Sequence, residues 1–224
     1  MKTILVVGGS KGIGAAIVSH LKNTHNIITF SRGANIIDNV THYSLDVLEN
    51  ELPEIDNLYG LVYCPGSINL KSLSRLKIED FQTDFNINVL GAIRVIKHYE
   101  KQLLESNGSV VLFSTVATHL GMPFHSSIAV SKAGLEGLAK SLAAEYATKI
   151  RFNVIAPTVT DTPLASRLLR NEKQQESMKD RHPLKKYLDP SEVASLADYL
   201  LSEKAMAISG QTIPIDAGIV SLKL

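Results

Sequence analysis

The sequence predicts an α/β fold, in which a mostly parallel sheet of about seven strands carries helices on both faces. Short apolar runs such as residues 4–7 have the composition of strands buried on both faces, and they alternate with segments of helical spacing. The first run leads through a glycine-rich turn into a helix. With 224 residues and 45% hydrophobic side chains, the chain is long enough for one domain with a sizeable core, spanning residues 1–224.

The turn at residues 8–14 predicts a dinucleotide site. Glycine lets the turn be tight, lets backbone N–H groups approach a pyrophosphate, and lets the helix pack on its strand, while the helix N-terminus faces the negative charge. The alternative is a tight strand-to-helix turn without a ligand. The residues expected to contact the nucleotide here are Gly8, Ser10, Lys11, Gly12, Ile13 and Gly14.

Composition excludes several classes of partner. The chain has 23 basic and 22 acidic side chains and a formal net charge of +1, which gives no field that favours nucleic acid or an anionic membrane. The N-terminal apolar run is too short for a signal peptide, and no segment approaches the length of a membrane span. We therefore expect a cytoplasmic protein. The single cysteine, Cys64, excludes an internal disulfide.

The end of the second strand, residues 27–30, bears on the choice of nucleotide. An acidic residue at this place accepts hydrogen bonds from the adenosine ribose, whereas a basic one accommodates the 2′-phosphate of NADP. The chain has Ser31 and Arg32 here. Arg32 and Lys11 are predicted to hold that phosphate from two sides. The alternative is that both are solvated surface cations.

The two connections around the third strand, residues 41–45, are short. Eight residues, 33–40, precede this strand, and residues 47–57, which include Pro53, follow it. A parallel crossover usually takes a dozen or more residues with a helix. One face of the sheet is therefore expected to be thinly covered, by irregular loops or by a partner subunit. Near the C-terminus, Asp189 or Ser191 is expected to cap a last helix.

Three motifs resemble those of the short-chain dehydrogenase/reductase family. The first is Gly-x-x-x-Gly-x-Gly at residues 8–14, and the second is the segment that starts at Asn88 and ends at Gly91. In the third, Ile128 lies thirteen positions after Thr115, and Lys132 lies four positions after Ile128. This is the spacing of the family's Ser, Tyr and Lys. The resemblance implies a doubly wound Rossmann-type sheet of order 3-2-1-4-5-6-7. Apolar residues nearly all round residues 81–104 predict one long helix, on which Asn88 lies.

The resemblance also implies an active site. Lys132 would hold the nicotinamide ribose, Thr115 would bond the substrate oxygen, and Asn88 would support Lys132 through water. Ile128 occupies the tyrosine position and has no proton to give. His125, three residues earlier, is the first candidate for a substitute acid, with Ser127 and Ser131 as further candidates. The alternatives are that His125 is a surface residue and that Lys132 is a ribose ligand only.

Further cofactor contacts follow from the family's motifs. Asp46 and Val47 match the pair placed against adenine, and Pro157, Thr160 and Thr162 match the segment at the nicotinamide amide and pyrophosphate, with Thr158 in place of a glycine. The segment Cys64, Pro65 and Gly66 keeps only the glycine of the family's pattern. Residues 166–187 would form a lid with seven basic and three acidic side chains, which fits an anionic substrate or, alternatively, a solvated face.

Together these features predict an NADP-dependent oxidoreductase that transfers hydride between nicotinamide and a small carbonyl or alcohol substrate, without a metal ion. Because Ile128 replaces the tyrosine, the alternative is a non-catalytic sensor or subunit that binds NADPH. In the family, the helix that carries Asn88 and the helix that carries Lys132 commonly form a four-helix interface between two subunits. The resemblance therefore implies a homodimer or homotetramer.

Overall fold

A seven-stranded parallel sheet forms the centre of the molecule. The computed structural model describes residues 1–33 and 37–223, and the strand order is β3-β2-β1-β4-β5-β6-β7 with every pair parallel. The predicted fold class and strand order are confirmed. The strands are β1 (Thr3–Val7), β2 (Asn26–Ser31), β3 (Val40–Ser44), β4 (Leu58–Tyr63), β5 (Ser109–Phe113), β6 (Arg151–Pro157) and β7 (Thr212–Ile215).

Helices cover both faces of this sheet. One core cluster contains side chains of α1 and α7, and the other contains side chains of α3, α4 and α5 on the opposite face. In the described ranges, no helix is both long enough and apolar enough to cross a bilayer. The helices are α1 (Gly12–Leu21), α2 (Ile78–Phe85), α3 (Gly91–His98), α4 (Glu100–Glu105), α5 (Ser126–Glu145), α6 (Glu172–Asp180) and α7 (Pro190–Leu201).

The long helix expected at residues 81–104 is divided. A π-helical turn, Asn86–Leu90, joins α2 to α3, and α3 ends before Tyr99, where φ is −103° and ψ is 13°. The wide turn is accommodated because the Tyr63 hydroxyl donates to the Ile87 carbonyl oxygen at 2.7 Å. A Cβ on Gly91 would lie 2.1 Å from that hydroxyl oxygen, so glycine is needed beside it. π-Turns within helices are frequent at functional sites.

The connection between β3 and β4 forms no helix, as the sequence predicts, and residues 45–57 are all described. Val47, Leu52 and Ile55 from this connection are buried in the core. Arg94 of α3 fixes its backbone by donating to the Val47 and Asn50 carbonyl oxygens at 2.8 Å each. Irregular chain therefore covers this sheet face. The expectation for the connection between β2 and β3 falls partly on residues 34–36, which lie outside the described residues.

The last helix, α7, begins at the expected cap. Asp189 is the N-cap, and its Oδ1 accepts from the Ser191 backbone N–H at 2.8 Å. Glu192 Oε2 accepts from the Asp189 N–H at 2.9 Å, which completes a capping box. Asp189, and not Ser191, is thus the residue that satisfies the first free N–H groups of the helix.

Candidate active site

Three loops meet at the carboxyl edge of the sheet. Gly8, after β1, has φ of +80°, and a Cβ there would lie 3.2 Å from the Pro65 nitrogen in the loop after β4. Gly12 has φ of +54°, and a Cβ there would lie 3.1 Å from Cγ2 of Thr162 in the loop after β6. Gly14 lies against Gly8, since a Cβ on Gly14 would be 2.2 Å from the Gly8 carbonyl oxygen. The structure thus brings together the glycine turn and two other predicted cofactor segments.

The N-terminus of α1 is free to bind an anion. Lys11 is the N-cap, its backbone is extended, and its side chain makes no capping hydrogen bond. The first turn contains no acidic residue, and Ser10, Gly12 and Ile13 are partly exposed beside it. The first N–H groups of a helix have no partner within the helix, so these point toward the cleft. This arrangement fits the pyrophosphate of a dinucleotide.

The end of β2 is held by a histidine that the sequence analysis did not identify. The Thr29 hydroxyl donates to Nδ1 of His42 at 2.8 Å, and the Nε2–H of His42 donates to the Gly33 carbonyl oxygen at 2.9 Å. The Ser31 hydroxyl donates to the same carbonyl at 3.0 Å. Arg32 lies exposed within this turn, and Lys11 is exposed at the N-cap of α1, beyond the neighbouring strand β1.

The predicted adenine contacts lie at the end of the next strand, β3. Asp46 Oδ1 accepts from the Leu48 backbone N–H at 2.9 Å, which closes a local turn. Val47 is buried in the core at 7% exposure, while Asp46 is partly exposed. Asp46 therefore remains the more accessible of the pair.

Three of the predicted catalytic positions lie at the start of α5. Ile128 and Lys132 are four residues apart on the same side of the helix, and His125 is the residue immediately before its first turn. Lys132 is 7% exposed, and its Nζ donates to the Phe113 carbonyl oxygen at the end of β5 at 2.7 Å. Burial lowers the pKa of this ammonium to about 8, while the negative charge of Asp84 acts in the opposite direction.

Asn88 and Lys132 both border the space beside Gly66. The Asn88 Nδ2 donates to the Asp84 carbonyl oxygen at 2.7 Å and to the Ser67 hydroxyl at 3.2 Å. Its Oδ1 is buried and accepts no hydrogen bond from the described residues. A Cβ on Gly66 would lie 3.6 Å from Asn88 Oδ1 and 3.7 Å from Lys132 Nζ, so glycine leaves this space open. A buried acceptor without a partner is costly, and a ligand or water would satisfy it.

The groups proposed to replace the tyrosine differ in their orientation. Ile128 is buried at 5% exposure. The Nδ1–H of His125 donates to the Pro123 carbonyl oxygen at 2.7 Å, which leaves Nε2 as the nitrogen able to exchange a proton. Ser127 and Ser131 are buried and engaged elsewhere, Ser127 with the Asp84 carboxylate and Ser131 with the Ser127 carbonyl. The structure therefore favours His125 over either serine.

The loop after β5 carries Thr115 and is fixed by an unexpected carboxylate. Thr115 caps a short 3₁₀ turn, and its hydroxyl oxygen accepts from the Ala117 N–H at 3.3 Å. Glu136, one turn beyond Lys132 on α5, accepts hydrogen bonds from the Ser114 and Thr118 hydroxyls on either side of Thr115. The spacing of Glu136 from Lys132 is the signal in the sequence that could have indicated this role.

The loop after β6 is also tied to the segment predicted as a lid. The Thr158 hydroxyl donates to Nε2 of His182 at 2.7 Å, and both side chains are buried. The Thr160 hydroxyl donates to the Thr158 carbonyl at 3.0 Å, and Thr162 caps the turn that follows Pro157 and these threonines. Three of the basic residues of the lid form ion pairs, Lys179 with Glu176, Lys185 with Asp180 and Lys186 with Glu192.

This chain thus has a glycine turn at the carboxyl edge of a doubly wound parallel sheet, with a buried lysine and asparagine beside it, which is the Rossmann-type architecture. The profile of the family described as enoyl-(acyl carrier protein) reductase matches residues 45–220. The chain belongs to the short-chain dehydrogenase/reductase family of oxidoreductases.

Relatives in this family match the chain over nearly its whole length. A 3-oxoacyl-[acyl-carrier-protein] reductase of Rickettsia conorii is 32% identical and covers 98% of this chain and 97% of its own. The enzyme of the same name from Thermotoga maritima is 30% identical, with 98% of each chain covered.

Solved structures of this family have the same fold as the chain. A short-chain dehydrogenase family protein from Francisella tularensis has a TM-score of 0.89 at 26% identity, over 99% of this chain and 100% of its own. ElxO with NADP bound has a TM-score of 0.87 at 26% identity, over 99% of each chain. Nicotinamide cofactors are thus bound by proteins of the same family and fold.

Proposed function

We propose that the protein is a cytoplasmic NADP-dependent oxidoreductase that interconverts a small carbonyl compound and its alcohol. This proposal is carried by one observation: the unpartnered Asn88 Oδ1 and the Lys132 Nζ both border the open space beside Gly66. A buried cation and an unpartnered buried acceptor are costly in a protein without a ligand, and a nicotinamide ribose supplies hydroxyls that bond to both. The names of the relatives, which are reductases and dehydrogenases, support the same reaction class.

Each residue of the site then has a role. Lys132 holds the ribose hydroxyls, Asn88 supports Lys132, and Thr115 donates a hydrogen bond to the substrate oxygen. His125 Nε2, or a water molecule beside it, exchanges the proton with that oxygen. The nicotinamide, when bound, supplies or takes the hydride.

Calorimetric titration with NADPH and with NADH is the first test. Lys11 and Arg32 can each form charge-assisted hydrogen bonds to a 2′-phosphate, so we expect NADPH to bind at least about tenfold more tightly than NADH. A Lys11→Ala/Arg32→Ala variant is expected to lose that preference and to bind NADH unchanged. Lys149→Ala is the matched control, because this exposed lysine lies before β6, at the opposite edge of the sheet. Equal affinity for both nucleotides would contradict the NADP assignment, and binding of neither would contradict the proposed function.

Turnover is tested with a panel of carbonyl compounds. The relatives named above suggest 3-oxoacyl thioesters as the first members of the panel. His125→Gln is expected to lower kcat by about 10²–10⁴-fold with little change in nucleotide affinity, since a positioned acid typically contributes that factor. Lys132→Ala is expected to weaken nucleotide binding as well. An unchanged kcat in His125→Gln would assign the proton to water.

We propose further that two chains associate through α2, the π turn and α5. Phe85, Leu90 and Val130 are exposed at 39%, 44% and 58%, and Ala133 and Gly134 are exposed beside them on α5. Small residues permit close helix contacts, and exposed apolar side chains favour association. Light scattering on the purified protein should give the mass of a dimer or tetramer, and Val130→Glu should shift it toward the monomer. A monomeric mass for the unsubstituted protein would contradict the proposal.

A further inference from the structure

One carboxylate is completely buried in the cluster of polar side chains that includes Asn88. Asp84 of α2 is 0% exposed, and its two oxygens accept hydrogen bonds from the Ser67 and Ser127 hydroxyls at 2.5 Å each. Ser67 also accepts from Asn88 Nδ2, so its own proton points to Asp84. Two O–H donors directed at the two oxygens are the partners that an ionised carboxyl group needs.

Asn88 connects this group to Lys132. Among residues 1–33 and 37–223, Asp84 is the only buried acidic side chain, and Lys132 is the only buried lysine or arginine. Asn88 lies between them: its Nδ2 belongs to the Asp84 cluster, and its free Oδ1 lies on the Lys132 side, above Gly66. A buried ion is expensive without an opposite charge, and each of these two groups is the charge available to the other.

We infer that Asp84 is a positioning residue. Its negative charge holds Lys132 as an ammonium ion, and its hydrogen-bonded cluster with Ser67 orients Asn88 toward Lys132. Ile128 stands in place of a phenol in this site. The inference rests on the proposed function for its catalytic meaning, because a protonated Lys132 is the form that donates to ribose hydroxyls. The charge on Lys132 is a property of the unligated protein, so the test uses protein without cofactor or substrate.

The other titratable groups near Lys132 do not supply this charge. Burial raises the pKa of the Cys64 thiol to about 12, so Cys64 is neutral over the working pH range. Glu136, one turn along α5, is engaged by two hydroxyls and by His119, whose Nε2 lies 3.3 Å from Glu136 Oε2. His125 lies two turns before Lys132, and its Nδ1 is bound to a backbone carbonyl.

The groups near Asp84 leave Lys132 as its counter-charge. On α2, Asp80 precedes Asp84 by one turn and is neutralised by Lys71, at 2.9 Å from its Oδ1. From the loop after β4 and from α5, the side chains that face Asp84 are the uncharged Ser67 and Ser127.

The test measures the protonation of Lys132 by NMR. Lysine labelled with ¹³C at Cε gives a signal whose shift follows the charge on Nζ, and loss of one signal in Lys132→Met assigns it. We expect Lys132 to titrate near pH 8 in the unsubstituted protein, and about one pKa unit or more lower in Asp84→Asn. Asparagine is nearly the same size and can bond to both serines. Glu79→Gln is the matched control, an exposed acid on the same helix, and should leave the titration unchanged.

A second measurement covers the case in which Asp84→Asn does not fold. The carboxyl ¹³C shift of Asp84 in the unsubstituted protein should be that of an ionised group at pH 7. A neutral Asp84 at pH 7, or an unchanged Lys132 titration in folded Asp84→Asn, would overturn the inference. Failure of the proposed function would appear separately, as absence of nucleotide binding in calorimetry. Where binding is retained, the alkaline limit of NADPH affinity should move to lower pH in Asp84→Asn.

Discussion

Replacing Lys132 with methionine is expected to stabilise the unligated protein near neutral pH while it weakens nucleotide binding. Methionine is unbranched like lysine and can fill the same 7% exposed position without a charge. The pKa of Lys132 lies near 8 in the folded protein, below its ordinary value of 10.5, mainly because of burial. The folded state therefore disfavours the ammonium form, and the attraction of Asp84 is already included in that balance.

The magnitude follows from the difference between the two pKa values. At about 1.4 kcal/mol per pKa unit, the shift from 10.5 to about 8 corresponds to roughly 3 kcal/mol of destabilisation below pH 8. Methionine removes this cost but also loses the hydrogen bond to the Phe113 carbonyl, worth about 1 kcal/mol. The net gain of about 2 kcal/mol should raise Tm by about 4–8 °C for a chain of this size.

The pH dependence has a definite sign. Between pH 8 and 10.5 the unfolded chain binds more protons at Lys132 than the folded one, so the stability of the unsubstituted protein rises with pH in this window. Near pH 10 the remaining cost is about 1 kcal/mol, similar to the lost hydrogen bond, and the advantage of Lys132→Met should disappear.

Thermal unfolding at pH 7 and pH 10, followed by circular dichroism on unligated protein, measures both effects. Lys140→Met is the matched control on α5, since Lys140 is exposed and its replacement should have no comparable pH-dependent effect. A lower Tm for Lys132→Met at pH 7, or a difference that does not change with pH, would refute the argument that burial makes Lys132 costly. Calorimetry with NADPH on the same samples checks the expected loss of affinity.

Three further substitutions test other parts of the structure. Gly91→Ala should lower the free energy of unfolding by roughly 3 kcal/mol in urea, because the added Cβ would displace the Tyr63 hydroxyl from the π turn. Gly121→Ala is the control and should change the free energy of unfolding little, since no atom lies within 4 Å of a Cβ there. Asp189→Ala should cost about 1 kcal/mol in the same assay through loss of the α7 cap. Ile128→Tyr should cost roughly 1–3 kcal/mol by overpacking. It should give little gain in kcat if His125 supplies the proton as proposed, whereas a large gain would show that the unsubstituted site lacks an effective acid.

The strands of the sheet could be predicted because they depend on patterns local to each strand, and their order followed from the resemblance to the family. Continuous apolar runs predict buried parallel strands, and a glycine turn between strand and helix predicts a dinucleotide site. The same reasoning failed for the helix at residues 81–104. Its π turn depends on Tyr63, a residue 24 positions before Ile87, and no periodicity within the helix reports that contact.

The sequence by itself determined the fold class, the strand order through the family's motifs, and the glycine turn at the edge where three loops meet, because these follow from short-range patterns of apolar residues and glycines. Only the tertiary structure decided how the site is arranged. It placed Asp84 between two serines from distant segments, engaged the Ser127 hydroxyl with that carboxylate, and bound Nδ1 of His125 to the Pro123 carbonyl. Burial and charge pairing depend on which elements pack together, and residues brought together across 17 and 43 positions have no local signature in the chain.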